Sequence, residues 1–129
     1  MPADTQKIAM QLDADRRLSA APGGVGRYFA DAAGLANSAV SGLQSAIVAA
    51  CNREFELIGD SRQRLDVTLT RTPDRIEVVM RRRATSDGAK KDLAEQGAIP
   101  GVDQVQHETR AEMAITRLTK YVGEEASAG

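Results

Sequence analysis

One long helical pattern constrains the fold of this chain more than any other feature. Between residues 40 and 58, apolar side chains recur every three or four residues, at Val40, Leu43, Ile47, Cys51, Phe55 and Ile58. This spacing places them on one face of a helix of about five turns. Gly59-Asp60 follows and is predicted to end the helix. A helix with such a continuous apolar face must pack on another layer, and the small residues Ala46 and Ala50 favour close approach to a sheet.

Alternating apolar residues predict strands on both sides of this helix. Residues 7–13 place Ile8, Met10 and Leu12 on one side, which is typical of a half-buried strand. Residues 64–70 and 75–83 alternate in the same way. The short link between them contains Pro73, so the two strands are predicted to form a hairpin.

Weaker patterns predict one more helix and a second hairpin. Pro22-Gly-Gly24 is interpreted as a break before a helix over residues 25–33. A short helix over 89–96 precedes a hairpin of strands 102–108 and 114–122. The register of the first of these strands stays open, and the second is expected to place Met113, Ile115 and Leu118 inward.

The order is therefore strand, helix, helix, strand, strand, short helix, strand, strand. It predicts an α+β two-layer sandwich, with the helices on one face of a mixed, mainly antiparallel sheet. The 129 residues fit a single domain. We expect this domain to span residues 1–122, and the small and acidic residues 123–129 to form a disordered tail.

Composition narrows the classes of function. The formal net charge is −1, so no global field attracts the chain to nucleic acid or to an anionic membrane. No apolar run has the length of a membrane span, and the N-terminus lacks a signal-peptide pattern. The single cysteine, Cys51, excludes an internal disulfide and suits a reducing compartment. We therefore expect neither nucleic acid nor a membrane as a partner.

The order of elements resembles that of the histidine-kinase-like ATPase domains, and within them the small anti-sigma factor serine kinases of bacteria. The long helix at 43–57 and the strand pair after it carry most of the resemblance. Shorter matches are the end of the first helix at Ala32-Ala-Gly-Leu35, then Val102-Asp-Gln-Val105 and the closing Leu118-Thr-Lys-Tyr121. The resemblance covers nearly the whole chain. It implies that family's fold with a shortened lid, and a bacterial, cytoplasmic protein.

The chemistry of that family has no counterpart at the matching positions. Its long helix carries a Glu and, four residues on, an Asn that holds magnesium and phosphate, and its second strand ends in an Asp-x-Gly that reads adenine. The matching positions here are Ala49, Arg53 and Arg82. Ala49 offers no oxygen to magnesium, Arg53 brings a positive charge, and a guanidinium such as that of Arg82 has donors only. We expect no ATP, magnesium or other cofactor, no metal site and no catalytic residue.

The resemblance thus implies a regulatory protein that acts by protein–protein interaction without ATP hydrolysis. We therefore expect a binding protein rather than an enzyme. The partner implied is a sigma factor or an antagonist, with a second copy of the chain as a further candidate. In the related kinases the first helix and its neighbouring loops contact partners. Arg and Tyr are common binding anchors. The expected partner-binding residues here are Arg16, Arg17, Arg27, Tyr28 and Asp31.

Two alternatives stay open. The chain could be a nucleotide-binding serine kinase and anti-sigma factor with divergent motifs, in which Asp87-Gly88 stands in for the Asp-x-Gly. It could also be an unrelated small α+β interaction subunit. The run Arg81-Arg-Arg83 suggests a phosphate contact, but a strand sends alternate residues to opposite faces, so at most two of the three point together. Cys51, His107 and Asp13-x-Asp15 are interpreted as structural rather than chemical.

Overall fold

The computed structural model describes residues 5–59, 63–83 and 99–122. Two helices lie against a five-stranded sheet whose strands are ordered β1-β2-β3-β5-β4. The chain runs through β1 (Gln6–Leu12), a short 3-10 helix (Arg16–Ser19), α1 (Ala20–Ala32), α2 (Asn37–Ile58), β2 (Leu65–Arg71), β3 (Arg75–Arg83), β4 (Gln104–Arg110) and β5 (Met113–Tyr121). The predicted α+β class is confirmed, and the arrangement fits a two-layer sandwich. The short helix predicted over 89–96 and the tail predicted over 123–129 lie outside the described residues.

The sheet is antiparallel, not mixed as predicted. All four pairings between the described strands are antiparallel. The helix pair explains why β1 and β2 run in opposite directions. Helices α1 and α2 are antiparallel neighbours, since Gly23 of α1 lies against Val48 of α2 and Arg27, further along α1, donates a hydrogen bond to the earlier residue Gln44. The chain that leaves β1 therefore returns along α1, reverses along α2, and enters β2 antiparallel to β1.

The core lies between α2 and the inner face of the sheet. The six residues of the predicted apolar stripe on α2 are all buried, with no more than 5% of their surface exposed. They meet alternate residues of the central strands, which are fully buried: Leu65, Val67, Leu69, Ile76, Val78 and Met80. The period of the helix and the period of the strands were both predicted correctly.

The predicted break at Pro22-Gly-Gly24 is wrong, because these residues lie inside α1. Pro22 falls in the first turn, where a helix makes no use of the backbone N–H that proline lacks. Gly23 serves contact between helices rather than a turn, since a Cβ there would lie 2.7 Å from Cγ2 of Val48, whereas a Cβ at Gly24 would meet no atom within 4 Å. A Cβ at Gly26 would collide with Cδ1 of Ile47, so α1 can approach α2 this closely only without a side chain at that position.

The C-terminal hairpin has a definite register. Val105 of β4 lies opposite Leu118 of β5, and both face the core. Residues of β5 that share the face of Leu118 include Ala114 and Thr116, both of which are buried. Met113 and Ile115 therefore lie on the opposite face of the sheet, so their predicted inward orientation is wrong.

The turn of this hairpin is strained and can be improved. Ala111 and Glu112 have φ values of 49° and 68°. Two central residues with positive φ are typical of a type I′ turn, which favours Asn-Gly. Left-handed backbone costs a residue with a Cβ about 1–2 kcal/mol. We therefore expect the double change Ala111→Asn and Glu112→Gly to raise the free energy of unfolding in urea by about 1–2 kcal/mol.

The control for this change is Glu112→Ala, which keeps a Cβ at the strained position. It should leave the free energy of unfolding within about 0.5 kcal/mol of the parent value. A double variant no more stable than this control would show that the turn is not left-handed at both residues.

Candidate functional site

Two of the three positions at which the sequence resemblance predicts degenerate nucleotide chemistry lie along an open cleft on α2. Ala49 is exposed and Arg53 is half-buried. Both line a cleft of about 830 Å³ on the side of α2 that faces away from the sheet. The other lining residues are Arg16, Ser41, Gln44, Ser45, Val48, Asn52 and Glu56. We call this feature the α2 cleft. It combines hydroxyl and amide groups with the guanidinium groups of Arg16 and Arg53.

Asn52 gives the α2 cleft an unused hydrogen-bond acceptor. Its Oδ1 atom is buried and has no hydrogen-bond partner among the residues that the structure describes. A buried acceptor without a partner costs free energy, and in native proteins such an atom often marks an ordered water or a functional contact. Asn52 thus adds to the wall of the cleft a polar group whose acceptor is not satisfied by the described residues.

The third position, Arg82, lies elsewhere. Arg82 is in β3, its side chain points toward the core, and only 3% of that side chain is exposed. Its Nε donates a hydrogen bond of 2.6 Å to Oε1 of Glu54 on α2, whose side chain is also 3% exposed. The structure thus separates the buried Arg82 from the α2 cleft that holds Ala49 and Arg53.

The sequence places Glu54 and Arg82 on the same buried layer for simple geometric reasons. Glu54 follows Ile47 by seven residues and Cys51 by three, so it falls on the apolar stripe of α2. Arg82 follows Met80 by two residues in a strand, so it points to the core as Met80 does. A lone acid on a buried helix face needs a cationic partner, and β3 supplies one.

The Glu54–Arg82 ion pair decides what the end of β3 can recognise. A guanidinium donates hydrogen bonds and accepts none. Arg82 therefore offers no acceptor to the amino group of an adenine, and it is already engaged by Glu54. Removing either partner would break a buried 2.6 Å ion pair, which is strongly unfavourable. The pair is a fixed part of the core at this position.

Three of the predicted partner-binding residues come together on the exposed face of α1. Arg27, Tyr28 and Asp31 are all exposed. Tyr28 is 58% exposed, which is unusual for a large side chain in this protein, and its ring centroid lies 6.0 Å from that of Phe29. Nη1 of Arg27 donates a 3.0 Å hydrogen bond to Oε1 of Gln44, so this arginine is oriented toward α2. We call these three residues the α1 surface.

The other two predicted partner residues lie apart from the α1 surface. Arg16 lines the α2 cleft. Arg17 forms a 2.7 Å ion pair with Asp15, and its side chain is 89% exposed. Hydrogen bonds from the side chain and backbone of Arg17 lower the pKa of Asp15 to about 2. Arg17 thus stabilises the start of the short 3-10 helix through Asp15, which accepts from its backbone N–H.

The residues interpreted as structural have structural partners. Burial raises the pKa of the Cys51 thiol to about 12, so the thiol stays protonated and unreactive near neutral pH. Its sulfur lies 4.0 Å from that of Met80. Nδ1 of His107 is 3.1 Å from the hydroxyl of Thr116, and Asp13 pairs with Arg64 at 3.1 Å. The described part of the chain holds no group of three or more His, Cys, Asp or Glu side chains arranged to bind a metal.

No protein-family model and no curated protein matches this chain. Among the described residues, no helix has both the length and the apolar character needed to cross a membrane.

Proposed function

We propose that this protein is a degenerate relative of the small anti-sigma factor kinases and that it acts as a regulator through protein–protein contact, without ATP hydrolysis. The order of strands and helices supports the proposal, since two helices between the first and second strands and a closing hairpin are what the resemblance implies. On this proposal the fold is that of the histidine-kinase-like ATPases and the protein works in the bacterial cytoplasm. Its partner is a sigma factor or an antagonist of one.

The observation that carries the proposal is the buried Glu54–Arg82 ion pair. It lies at the end of the strand where the resemblance implies adenine recognition, and both side chains are only 3% exposed. A nucleotide base at this position would have to break this buried ion pair, which is costly. A scaffold with this ion pair keeps its surfaces for binding proteins but has no place for adenine at this position.

The α1 surface supports the proposed action through protein–protein contact. An exposed tyrosine beside an arginine and an aspartate combines an apolar ring with both signs of charge. Tyr and Arg are enriched among the residues that dominate binding energy. Because Arg27 is held by Gln44, its guanidinium is partly ordered before a partner arrives, which reduces the entropy lost on binding.

A second candidate function is favoured by the α2 cleft. Asn52 and Arg16 line a cleft of about 830 Å³, within the usual range of ligand sites, and the Oδ1 atom of Asn52 has no hydrogen-bond partner among the described residues. This arrangement favours a divergent nucleotide-binding anti-sigma factor, in which a phosphate would contact the arginines of the α2 cleft. The third possibility, an unrelated interaction subunit, shares with the first its dependence on a protein partner.

The test of the α1 surface is the double change Arg27→Ala and Tyr28→Ala. Binding would be measured by surface plasmon resonance against a panel of purified bacterial sigma factors and their antagonists. Loss of two anchor side chains should weaken binding at least about tenfold, which corresponds to about 1.4 kcal/mol. Self-association would be followed by sedimentation of the same variant.

Arg110→Ala supplies the matched control, because Arg110 is exposed on β4 and pairs only locally with Glu108. It should bind as the parent protein does. Equal binding by the Arg27/Tyr28 variant, or no binding of any panel member by the parent protein, would contradict the proposed function.

A further inference from the structure

The face of the sheet opposite the helices carries a cluster of arginines. Because β3 sends Arg82 to the core, Arg81 and Arg83 project from the outer face. Arg117 of β5 lies opposite Val79 in the register and shares that outer face. We call Arg81, Arg83 and Arg117 the arginine face. It lies on the layer opposite the α1 surface.

The arginine face is not neutralised within the described part of the chain. No carboxylate there lies within 4.0 Å of the guanidinium groups of Arg81, Arg83 or Arg117, although other arginines of this protein form such pairs. Asp66 is the cross-strand neighbour of Arg81, yet the two form no ion pair. These three positive charges are therefore available to an external anion.

The backbone beneath this cluster is held in place. The Gln63 side chain accepts a 2.7 Å hydrogen bond from the backbone N–H of Arg83 and donates one of 3.1 Å to its carbonyl oxygen. The end of β3 is thereby held on the β2 side beyond the last β2–β3 pairing, and it is paired with Met113 of β5 on the other side. A charged side chain on a fixed backbone loses less entropy on binding than one on a frayed end.

The same face has a concave and partly apolar floor. Two shallow depressions of about 520 and 400 Å³ share Gln11, Asp66 and Arg81, so they form one continuous groove across β1, β2 and β3. Val79 is only 8% exposed on this face. Met113 and Ile115 of β5 are half-buried beside it. Apolar side chains therefore lie beside the groove, whose lining carries Arg81 and Arg83 together with the carboxylate of Asp66.

We propose that the arginine face and its groove bind an acidic amphipathic segment of a protein partner. Apolar side chains of that segment would cover Val79, Ile115 and Met113, and its carboxylates would pair with the three arginines, in the two-atom geometry that guanidinium groups favour. A protein segment is favoured over RNA, because the groove has no aromatic lining among the described residues on which bases could stack. This proposal does not depend on the α1 surface or on the absence of nucleotide.

The experiment uses a fluorescein-labelled helical peptide of about 15 residues, long enough to cross five strands, with a leucine seam flanked by glutamates. Its affinity for the full chain is measured by fluorescence anisotropy at two salt concentrations. A second peptide with every Glu replaced by Gln, and a single-stranded oligouridine, are measured in parallel. We expect the acidic peptide to bind most tightly and to weaken as salt is raised.

The variant Arg81→Gln/Arg83→Gln/Arg117→Gln should weaken the acidic peptide at least about tenfold while the circular dichroism and unfolding midpoint stay unchanged. The control Arg16→Gln/Arg17→Gln/Arg27→Gln removes the same charge from the helix side and should bind the peptide as the parent does. Amide chemical shifts of β3 and β5 should move on titration. The proposal is overturned if the parent does not bind the acidic peptide, if the two triple variants behave alike, or if the glutamine peptide or the oligouridine binds as tightly.

Discussion

Replacing Glu54 with alanine should lower the free energy of unfolding by about 3–5 kcal/mol, because it removes the carboxylate that Arg82 contacts in the core. The two side chains are each 3% exposed and meet at 2.6 Å, so water cannot take the place of the lost carboxylate without opening the core. Urea unfolding followed by circular dichroism measures the change. This substitution is expected to be among the most damaging in the chain.

The matched control removes both charges at once. The double change Glu54→Leu and Arg82→Met keeps a similar volume and removes both charges of the pair, so the variant should be about as stable as the parent or more stable by about 1–4 kcal/mol. The contrast separates a charge effect from a packing effect. A cost below about 1 kcal/mol for Glu54→Ala would show that Arg82 reaches solvent or another partner.

Phe55→Ala should destabilise the protein by about 3–5 kcal/mol. Phe55 is 4% exposed and packs in the core cluster between α2 and the sheet, so truncation leaves a cavity that its neighbours fill only in part. The free energy of unfolding in urea is again the measurement.

The adjacent residue provides the control for this prediction. Glu56 is exposed on the opposite side of α2, and Glu56→Ala should change stability by no more than about 0.5 kcal/mol. Equal midpoints for the Phe55 and Glu56 variants would mean that α2 packs on the sheet through another face.

The elements with regular periods were predictable from the sequence. The stripe from Val40 to Ile58 fixed both the existence and the buried face of α2. Two-residue alternation located β1, β2 and β3 to within a residue or two of their ends. These predictions succeeded because a continuous apolar period is a direct consequence of burying one face of an element.

Glycine and hairpin positions were harder to interpret. Pro22-Gly-Gly24 has the composition of a turn. In the structure, however, Gly23 and Gly26 lie where α1 packs so closely on α2 that a side chain would collide with it. That reason is visible only once the helices are packed. Met113 and Ile115 were assigned to the core as apolar residues, whereas the pairing of β3 with β5 puts them on the outer face.

The candidate site likewise combines features that the sequence predicts with features that depend on how the elements pack. The sequence placed Ala49, Arg53 and Arg82 at the positions of the family's nucleotide chemistry, but it did not pair Arg82 with Glu54. The sequence did contain a clue to this pair. Glu54 is a charged residue on the apolar stripe of α2, and Arg82 follows Met80 by two residues, so it points to the same face of β3. The pairing itself joins residues 28 positions apart and depends on how α2 crosses β3. Tyr28, which is predicted to bind a partner, is exposed on α1, and its role in binding stays a prediction.

The most direct test of the central proposal is a thermal-unfolding titration of the parent protein with ATP and magnesium up to millimolar concentrations. If the Glu54–Arg82 ion pair denies adenine its place, the midpoint stays constant across the titration. A ligand present at 100 times its dissociation constant would instead stabilise the fold by about 2.7 kcal/mol. A saturable upward shift of that order would contradict the proposal and favour the nucleotide-binding alternative.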